Sequence, residues 1–302
     1  MAKNPLSIPL RLAALALVAL AVVGCGSSTK SSSSTSATTS SGAAGGGKLA
    51  SELPAKYKSK ALTVAADATY APDEFIAPNG HTVQGMDADL AKAIAGELGA
   101  KPDVINATFD SILPGLAAGK YDLGMSSFTD TKARQKTVDF VTYFSAGTSF
   151  YTKANGGTNV RSLADLCGKT VAVEKGTTEQ ADATAQSKKC TASGKPAVKV
   201  LTYPDQNGAN LAVSSGRAQI GMADSPVAEY QVKQSNGQFK ITGQPYGTAP
   251  YGIAIPKGSG LDKPVLGAVK ALMANGSYGR IMQKWGLQSG EIKNPQINAA
   301  TS

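Results

Sequence analysis

Short β-like runs alternate with amphipathic helices along most of the chain, and this order limits the possible folds more than any other feature. Residues 62–66 form an apolar run, and after it Leu90, Ile94 and Leu98 recur at every fourth position, as on one face of a helix. Residues 103–126 repeat the order as an extended segment, a helix and a second extended segment. Strands that alternate with helices predict parallel βαβ units.

A second series of the same kind begins near residue 161. We predict strands at residues 170–174, 198–202, 219–223, 238–242 and 251–255. We predict helices at residues 162–166, 178–186, 205–215, 226–234, 261–274 and 277–285. About 250 residues carry the two series, which is enough for two lobes with a proper core. The sequence therefore predicts two similar α/β halves.

The N-terminus has the features of an export signal. Two basic residues precede the uninterrupted apolar run 12–23, and Cys25 follows it. The run is shorter than the roughly 18 residues of a membrane-spanning helix. Residues 22–25, Val-Val-Gly-Cys, resemble the lipobox of bacterial lipoproteins, which implies that Cys25 carries a lipid; an ordinary secretion signal with a chance cysteine is the alternative. We expect a lipoprotein signal peptide at residues 1–25.

Residues 26–55 are expected to form a tether. Up to Lys48 this segment is almost entirely Ser, Thr, Gly and Ala. Such a composition cannot bury enough apolar surface to offset the entropy of ordering the chain. With a lipid on Cys25, the tether would hold an extracytoplasmic body at the cell membrane.

The formal net charge of +9 does not identify a partner. No stretch gathers five or six basic residues with aromatic residues between them, which is the pattern that indicates nucleic-acid binding. We therefore expect no nucleic-acid partner and interpret the charge as a solvated surface.

Polar residues follow several of the predicted strands at the point where each strand ends. Asp67 follows the first strand, the hydroxyl-rich segment 126–134 follows the third, and Thr178 and Asp224 follow two strands of the second half. In open α/β sheets, ligands bind outside the carboxyl ends of the strands, where backbone N–H groups and helix N-termini converge. These residues therefore predict one ligand site in a crevice.

Several segments, in order along the chain, resemble the solute-binding proteins of polar amino-acid ABC importers. The resemblance covers roughly residues 60–287. It is carried by LTVAADATYAPDEF, GMDADLAKAIAGEL, FDSILPGLAAGK, YDLGMSSFTDTKARQKTVDF, GKTVAVEKGTT and YGIAIPKG, which begin at residues 62, 85, 109, 121, 168 and 251.

The resemblance implies the two-lobed α/β periplasmic binding protein type II fold. Each lobe is then an open, mainly parallel sheet flanked by helices, and two crossover strands join the lobes and allow hinge closure on the ligand. The crossings are expected near residues 149–153 and 246–251. Lobe 1 would comprise residues 56–150 and 249–290, lobe 2 residues 151–248, and the C-terminal tail residues 291–302.

The resemblance also assigns the groups that hold a free amino acid by its two charges. Arg134, with Thr129 and with Thr178 at a helix N-terminus, matches the site for the α-carboxylate, and a guanidinium fork suits a carboxylate chemically as well. Asp224 matches the site for the α-ammonium, with an oxygen of Ser127 across the cleft. One zwitterion would thus be held from both lobes.

Each of these residues also has an ordinary structural role open to it. Arg134 could form a surface ion pair with Asp130 or Asp139. Asp224 could cap the helix that follows it, and a single threonine is as well suited to a helix cap as to a ligand.

The matching positions for the ligand side chain are aromatic and acidic. Tyr70 and Phe109 match two rings that sandwich the side chain in the family, where a cationic ligand gains cation–π attraction. Asp67 and Glu174, together with Asp73 where an aromatic residue is usual, place three acids near this expected pocket. They favour a cationic amino acid such as lysine or arginine, and glutamine is the alternative ligand.

Cys167 and Cys190 are the cysteines left after Cys25 is assigned to the lipid. In an exported protein this pair predicts a disulfide, with two free thiols as the alternative.

Nothing in the sequence indicates catalysis. The only histidine, His81, follows Asn-Gly in a predicted turn, and no nucleophile elbow, phosphate loop or metal-ligand spacing occurs. We expect no cofactor and no metal, and a monomer that works with a membrane permease and its ATPase. The alternatives are a sensory receptor and a dehydratase-like enzyme on the same fold, for which Glu174 is the candidate acid.

Overall fold

The computed structural model describes residues 47–300. The predicted signal peptide, the predicted lipid site at Cys25 and the predicted tether up to residue 46 lie outside the described residues. Among residues 47–300, no helix is both long enough and apolar enough to cross a membrane.

The first lobe begins with short strands and three helices around a small parallel sheet. Its elements are α1 Ala55–Lys58, β1 Leu62–Ala66, β2 Thr69–Tyr70, β3 Glu74–Ile76, β4 Val83–Gln84, α2 Met86–Glu97, β5 Pro102–Asn106, α3 Phe109–Ala117 and β6 Leu123–Gly124. A 3₁₀ turn, Arg134–Lys136, leads into the long strand β7 Val138–Lys153.

The second lobe follows β7 and repeats the alternation of strands and helices. After a 3₁₀ turn at Leu163–Leu166 its elements are β8 Thr170–Glu174, α4 Thr178–Ala192, β9 Lys199–Tyr203, α5 Gln206–Ser214, β10 Ile220–Asp224 and α6 Ser225–Gln234. The chain then returns to lobe 1 through β11 Phe239–Pro256, α7 Asp262–Ala274, α8 Ser277–Trp285 and a 3₁₀ turn at Gln288–Gly290.

Eight strands form one continuous sheet in the order β5-β1-β6-β11-β7-β10-β8-β9. On the lobe 1 side β5, β1 and β6 are parallel and β11 is antiparallel to them; on the lobe 2 side β9, β8 and β10 are parallel and β7 is antiparallel. The long strands β7 and β11 pair with each other through both lobes. The predicted architecture, two mainly parallel sheets joined by two crossover strands, is confirmed.

The strand pairing shows where the chain passes between the lobes. Thr148 is already opposite Asp224 of β10, and Ser149 is opposite Ala223. The first crossing therefore lies just before Thr148, earlier than the predicted 149–153. In β11, the register against β7 shifts between Thr242 and Ala249, which places the second crossing over residues 242–249.

The hydrophobic core explains why the helices form where the sequence pattern places them. Leu90, Ile94 and Leu98 are all fully buried and pack with α7 and α8 against the lobe 1 sheet. In lobe 2, the apolar residues of β8 and β10 pack against α4. Burying a large aliphatic side chain contributes about 1.5–3 kcal/mol, so these faces hold each lobe together.

Several segments go beyond the prediction in detail. Residues 68–85, for which no strand was predicted, contain β2, β3 and β4, a small antiparallel sheet. Helix α4 continues to Ala192, beyond the predicted residue 186. Both ends of the described chain pack on lobe 1, because Leu53 is buried in its core and Ile297 pairs with Val141 of β7.

Cys167 and Cys190 form a disulfide, with their Cα atoms 5.6 Å apart. Cys167 follows the 3₁₀ turn before β8, and Cys190 lies in the last turn of α4. The bond therefore fixes the end of α4 to the start of the lobe 2 sheet, as the cysteine count predicted.

Candidate functional site

Seven of the nine residues predicted to bind the ligand line one cavity between the lobes. They are Tyr70, Phe109, Ser127, Thr129, Arg134, Thr178 and Asp224. Five residues without a predicted role also line it, namely Thr177, Glu179, Gln206, Ala223 and Val227. The cavity lies where the carboxyl ends of the strands from both lobes meet, as expected for an open α/β sheet.

Arg134 points into the cleft between the lobes. Its guanidinium donates from Nη1 to the backbone oxygen of Thr129 in lobe 1, at 2.9 Å, and from Nη2 to the backbone oxygen of Gly176 in lobe 2, at 3.1 Å. The guanidinium also lies over the rings of Phe109 and Phe128, at 5.3 and 5.5 Å. These contacts hold a planar cation in one orientation with N–H groups free for an anion.

The surface ion pair considered for Arg134 is not formed. Asp139 pairs with Lys257 at 3.0 Å, and Asp130 accepts a hydrogen bond from Gln135 at 2.7 Å. Burial lowers the pKa of Arg134, whereas the nearby Glu179 and Asp224 raise it. Since the ordinary pKa of arginine is above 12, the guanidinium is charged at neutral pH.

The N-terminus of α4 faces Arg134 from lobe 2. Thr177 caps the helix, and its hydroxyl accepts from the N–H of Gln180 at 3.2 Å. Thr178 is the first residue of the helix and lines the cavity. The unpaired N–H groups and the positive end of the helix dipole favour an anion here. Arg134 and this helix end together form a site for a carboxylate.

Asp224 lies at the end of β10, half-buried, and forms no side-chain cap on α6. The capping role considered for it is therefore absent. Asp224 is opposite Thr148 in the pairing of β10 with β7, and Thr148 donates to Glu179 on α4 at 2.7 Å, so the two acids lie close together on the cavity wall. Burial, and next the charge of Glu179, raise the pKa of Asp224 well above its ordinary value. A cation placed between these two acids would relieve that unfavourable environment.

Ser127 adopts a left-handed backbone conformation, with φ of 50°, which is uncommon for a residue with a side chain. Its N–H donates to Asp87 at 2.9 Å, and its hydroxyl donates to Asp73 at 2.9 Å. Strained residues of this kind cluster at functional sites when the surroundings hold them. The hydroxyl of Ser127 thus faces buried acids of lobe 1.

Asp73 does not lie in the expected side-chain pocket, so that interpretation was wrong. It is fully buried beneath Ser127 and close to Asp87 in the first turn of α2, and it does not line the cavity. Burial, and next Asp87, raise the pKa of Asp73 well above its ordinary value.

Asp67 and Glu174, the two predicted residues that do not line the cavity, come together from the two lobes beyond Tyr70. Asp67 accepts from the hydroxyl of Thr69 at 2.7 Å and from the N–H of Phe109 at 2.9 Å. Glu174 is 1% exposed, and neither of its carboxyl oxygens has a hydrogen-bond partner within residues 47–300. Burial, and next the charge of Asp67, raise the pKa of Glu174 to about 10.

Tyr70 and Phe109 lie between the two ends of the cleft but do not form the predicted sandwich. Their ring centroids are 5.7 Å apart with planes at 77°, an edge-to-face contact. Two faces that enclose a side chain must stand about 7 Å apart, because each contact takes about 3.5 Å. Phe109 instead stacks on Phe128 at 4.5 Å, which fixes its plane. The hydroxyl of Tyr70 lies near Glu174.

The two lobes contact each other across the cleft. Lys175 of lobe 2 forms an ion pair with Asp110 of lobe 1 at 2.8 Å, and the N–H of Gln206 donates to the hydroxyl of Thr69 at 3.2 Å. In this structure the two lobes are therefore in contact, and site residues of both lobes face one cavity.

The site residues that sequence reasoning missed follow the same rule as those it found. Glu179 comes directly after Thr178 in the first turn of α4, and Gln206 begins α5 after the end of β9. Applying the strand-end rule to β9 would have found Gln206. Glu179 resembled the acid that commonly stabilises the first turn of a helix.

Comparisons with known proteins agree with the geometry. The pattern of the bacterial extracellular solute-binding proteins, family 3, matches residues 62–288. The chain is 34% identical over 238 residues to the arginine-binding protein ArgT of Corynebacterium glutamicum, covering 78% of each chain.

Solved structures show the same fold. An ancestral arginine-binding protein bound to glutamine is 38% identical, with a TM-score of 0.68 over 75% of this chain and 98% of that one. A mutant of ArgBP from T. maritima is 32% identical, with a TM-score of 0.70 over 76% of this chain and 97% of that one. The predicted type II periplasmic binding protein fold is confirmed.

The family is one of binding proteins, so the expectation that the chain is not an enzyme is confirmed as well. The fold of this chain, the cleft between its two lobes and the matched pattern all indicate the same family. The chain belongs to the bacterial extracellular solute-binding proteins of family 3 and is an amino-acid-binding protein of an ABC transporter.

Proposed function

We propose that this protein binds a free cationic amino acid, L-arginine first, between its two lobes and delivers it to the permease of an ABC importer. The observation that carries the proposal is the pair of buried acids, Asp67 and Glu174, which come together from the two lobes beside Tyr70 of the cavity wall. The α-carboxylate of a cationic amino acid would face Arg134, and its side-chain cation would face this pair.

The end of the cleft near Arg134 holds the common part of every amino acid. We assign the α-carboxylate to the guanidinium of Arg134 and the N-terminus of α4, and the α-ammonium to Asp224. The hydroxyl of Ser127 donates to Asp73, and its oxygen keeps lone pairs that can accept from the ammonium. We therefore assign an oxygen of Ser127 as the second acceptor for the ammonium.

The opposite end selects the side chain. Glu174 is buried beside a second carboxyl and lacks a hydrogen-bond partner among the described residues, so a guanidinium would supply both a countercharge and donors. Each hydrogen bond to a charged group contributes about 1.5–3 kcal/mol, and a neutral ligand leaves Glu174 without that partner. Tyr70 has to turn away from Phe109 for an extended side chain to pass.

The relatives support the same ligand class and also the alternative. ArgT of C. glutamicum is named an arginine-binding protein, and one ancestral arginine-binding protein was solved with glutamine bound. A protonated Glu174 can accept and donate hydrogen bonds to a carboxamide. Glutamine is therefore the second candidate ligand for this cleft.

Titration calorimetry with arginine and citrulline tests the proposal, because the two ligands have nearly the same shape and only arginine is charged at its end. We expect arginine to bind about 100-fold more tightly, since about 3 kcal/mol of interaction with Asp67 and Glu174 is lost with citrulline. Lysine, ornithine and glutamine complete the series. Equal affinity for arginine and citrulline would rule out a cationic pocket.

The matched variants are Glu174→Gln and Glu229→Gln. Glu174→Gln should reduce the preference for arginine over citrulline by at least tenfold, because a neutral amide does not attract the guanidinium. Glu229 is exposed on α6 and does not line this cavity, so its variant should keep the ratio of the parent protein. A Glu174→Gln protein with an unchanged ratio would contradict the assigned role.

We further propose that the protein is a lipoprotein held outside the cell membrane by Cys25 and a tether that begins at residue 26. The support is the lipobox-like sequence at residues 22–25 and the Ser- and Gly-rich composition that follows it. Cys25→Ala should release the protein from the membrane fraction and abolish incorporation of labelled palmitate. Retention of the variant in that fraction would refute the anchor.

A further inference from the structure

Glu179 is a buried acid that the amino-acid site as assigned above does not use. It is 4% exposed, lines the ligand cavity and begins the first turn of α4 beside Thr178. Its Oε1 accepts from the hydroxyl of Thr148 at 2.7 Å, and its Oε2 accepts from the hydroxyl of Thr178 at 3.1 Å. Both oxygens are therefore held in fixed positions.

The surroundings of Glu179 stabilise negative charge. It lies at the positive end of the dipole of α4, a helix of 15 residues, and it receives two hydroxyl hydrogen bonds. The guanidinium of Arg134 is close enough to interact with it electrostatically.

Asp224 is opposite Thr148 in the pairing of β10 with β7, and the hydroxyl of Thr148 donates to Glu179, so the two acids lie close together on the wall of one cavity. Two carboxyl groups so placed disfavour each other's charge, which favours a proton on one of them. The position of Asp224 at the end of β10, half-buried and without a helix-capping bond, leaves its carboxyl directed toward Glu179 and the cavity.

We propose that Glu179 and Asp224 form a two-acid ammonium subsite, in which Asp224 carries a proton in the ligand-free protein and loses it when the ligand ammonium enters. The O–H bond of the Asp224 carboxyl breaks, its proton passes to a buffer base, and the resulting carboxylate pairs with the ammonium. Glu179 is the positioning residue, because its carboxyl is held beside Asp224 and disfavours the charged form of Asp224. The proposal rests on the cleft as the amino-acid site, not on which side chain it prefers.

Other charged and titratable groups face the pair and act on it. They are Arg134, Tyr70 and Asp73 from lobe 1, Asp182 on α4, and Tyr246 and Tyr251 on β11. Only Arg134 among them is cationic, and its guanidinium already donates to the backbone oxygens of Thr129 and Gly176. The pair therefore depends on the ligand ammonium for its own countercharge.

The consequence is that tight binding is linked to pH. Over the pH range in which Asp224 is protonated in the ligand-free protein and ionised in the complex, the affinity for the ligand should rise about tenfold for each pH unit. Glu174→Gln separates this exchange from any proton lost at the side-chain end of the cleft. Glutamine separates it as well, because it has the same ammonium and no distal cation.

The test is calorimetry of arginine and of glutamine binding in two buffers of different ionisation enthalpy, at about pH 6.5, from which the number of released protons follows. The parent protein should release close to one proton with glutamine. Glu179→Gln removes the charge and keeps the shape of the side chain: its Oε1 still accepts from the hydroxyl of Thr148, and its Nε2 can donate to the hydroxyl oxygen of Thr178. It should release about one proton fewer with either ligand and lose the pH slope.

Thr148→Val is the structural control. It removes the hydroxyl that holds Glu179 without changing either acid, so it should lower stability and keep the proton count. If Glu179 only fixed α4 to β7, Glu179→Gln would behave like Thr148→Val, and the proposal would be overturned. Absence of proton release by the parent protein overturns it too, even if the variant fails to fold. Failure of arginine alone to bind would refute the cationic preference, and glutamine would still report the subsite.

Discussion

Arg134→Ala should remove the carboxylate site and leave the fold almost unchanged. The side chain is half-buried and makes its two hydrogen bonds to backbone oxygens, those of Thr129 and Gly176. Both carbonyls lie at the cleft, where water can replace the guanidinium. We therefore expect a folded protein that has lost its carboxylate site.

The size of the loss follows from the contacts available to a bound carboxylate. A guanidinium fork makes two charge-assisted hydrogen bonds of about 1.5–3 kcal/mol each, so about 3–5 kcal/mol is at stake. At 1.4 kcal/mol per tenfold, affinity should fall by a factor of about 100 to 4,000. Arg134→Lys keeps the charge without the fork and should lie between the two.

Calorimetry with arginine measures these affinities, and thermal unfolding without ligand shows whether the fold is intact. Arg217→Ala is the control, because Arg217 is exposed on lobe 2 and does not line the cavity. The reasoning fails if Arg134→Ala binds arginine within about threefold of the parent protein, because the carboxylate would then be held elsewhere.

Two further predictions concern stability. Replacing Cys167 and Cys190 by alanine opens a loop with a sequence separation of 23. The free energy of unfolding, measured by urea titration, should fall by about 3 kcal/mol. An unchanged value would show that the bond adds nothing to the stability of the fold. Burial raises the pKa of Asp87 to about 6 and those of Asp73 and Glu74 well above their ordinary values, so the folded chain holds more protons than the unfolded chain. The free energy of unfolding of the ligand-free protein should therefore fall as pH rises from about 4 through 6, and Asp73→Asn should flatten this slope; a rise over the same range would contradict it.

The architecture could be predicted because its signals are local and repeated. Leu90, Ile94 and Leu98 face the core at the spacing that the sequence displays. The extent of α4 could not be predicted in the same way, because Glu179 and Gln186 occupy positions on its buried face. A buried polar residue interrupts the apolar pattern from which a helix is recognised.

The candidate site was predicted where one rule, the carboxyl end of a strand, governs the position of the residue. Arg134, Thr178 and Asp224 meet at one cavity for this reason. The rule gives the location of a residue but not the neighbours of its side chain. It therefore gave no role to Glu179, which lines the cavity together with Asp224, and it placed the fully buried Asp73 in a pocket that Asp73 does not line.

The orientation of the aromatic rings could not be predicted from the sequence, for a related reason. Tyr70 and Phe109 were expected to face each other, yet Phe109 stacks on Phe128 and meets Tyr70 edge-on. The plane of an aromatic ring is set by all the side chains around it. Those neighbours come from segments far apart in the chain.

The position of β11 has a consequence for how the chain reaches its native state. This strand is made after the whole second lobe, yet it lies between β6 and β7 and pairs Pro256 with Val138, 118 positions earlier. Contacts between such distant residues form slowly, because a long loop must close first. The first lobe therefore cannot complete its sheet until the far end of the chain has been synthesised, and a nascent chain that stops before β11 would present the edges of β6 and β7 to other strands.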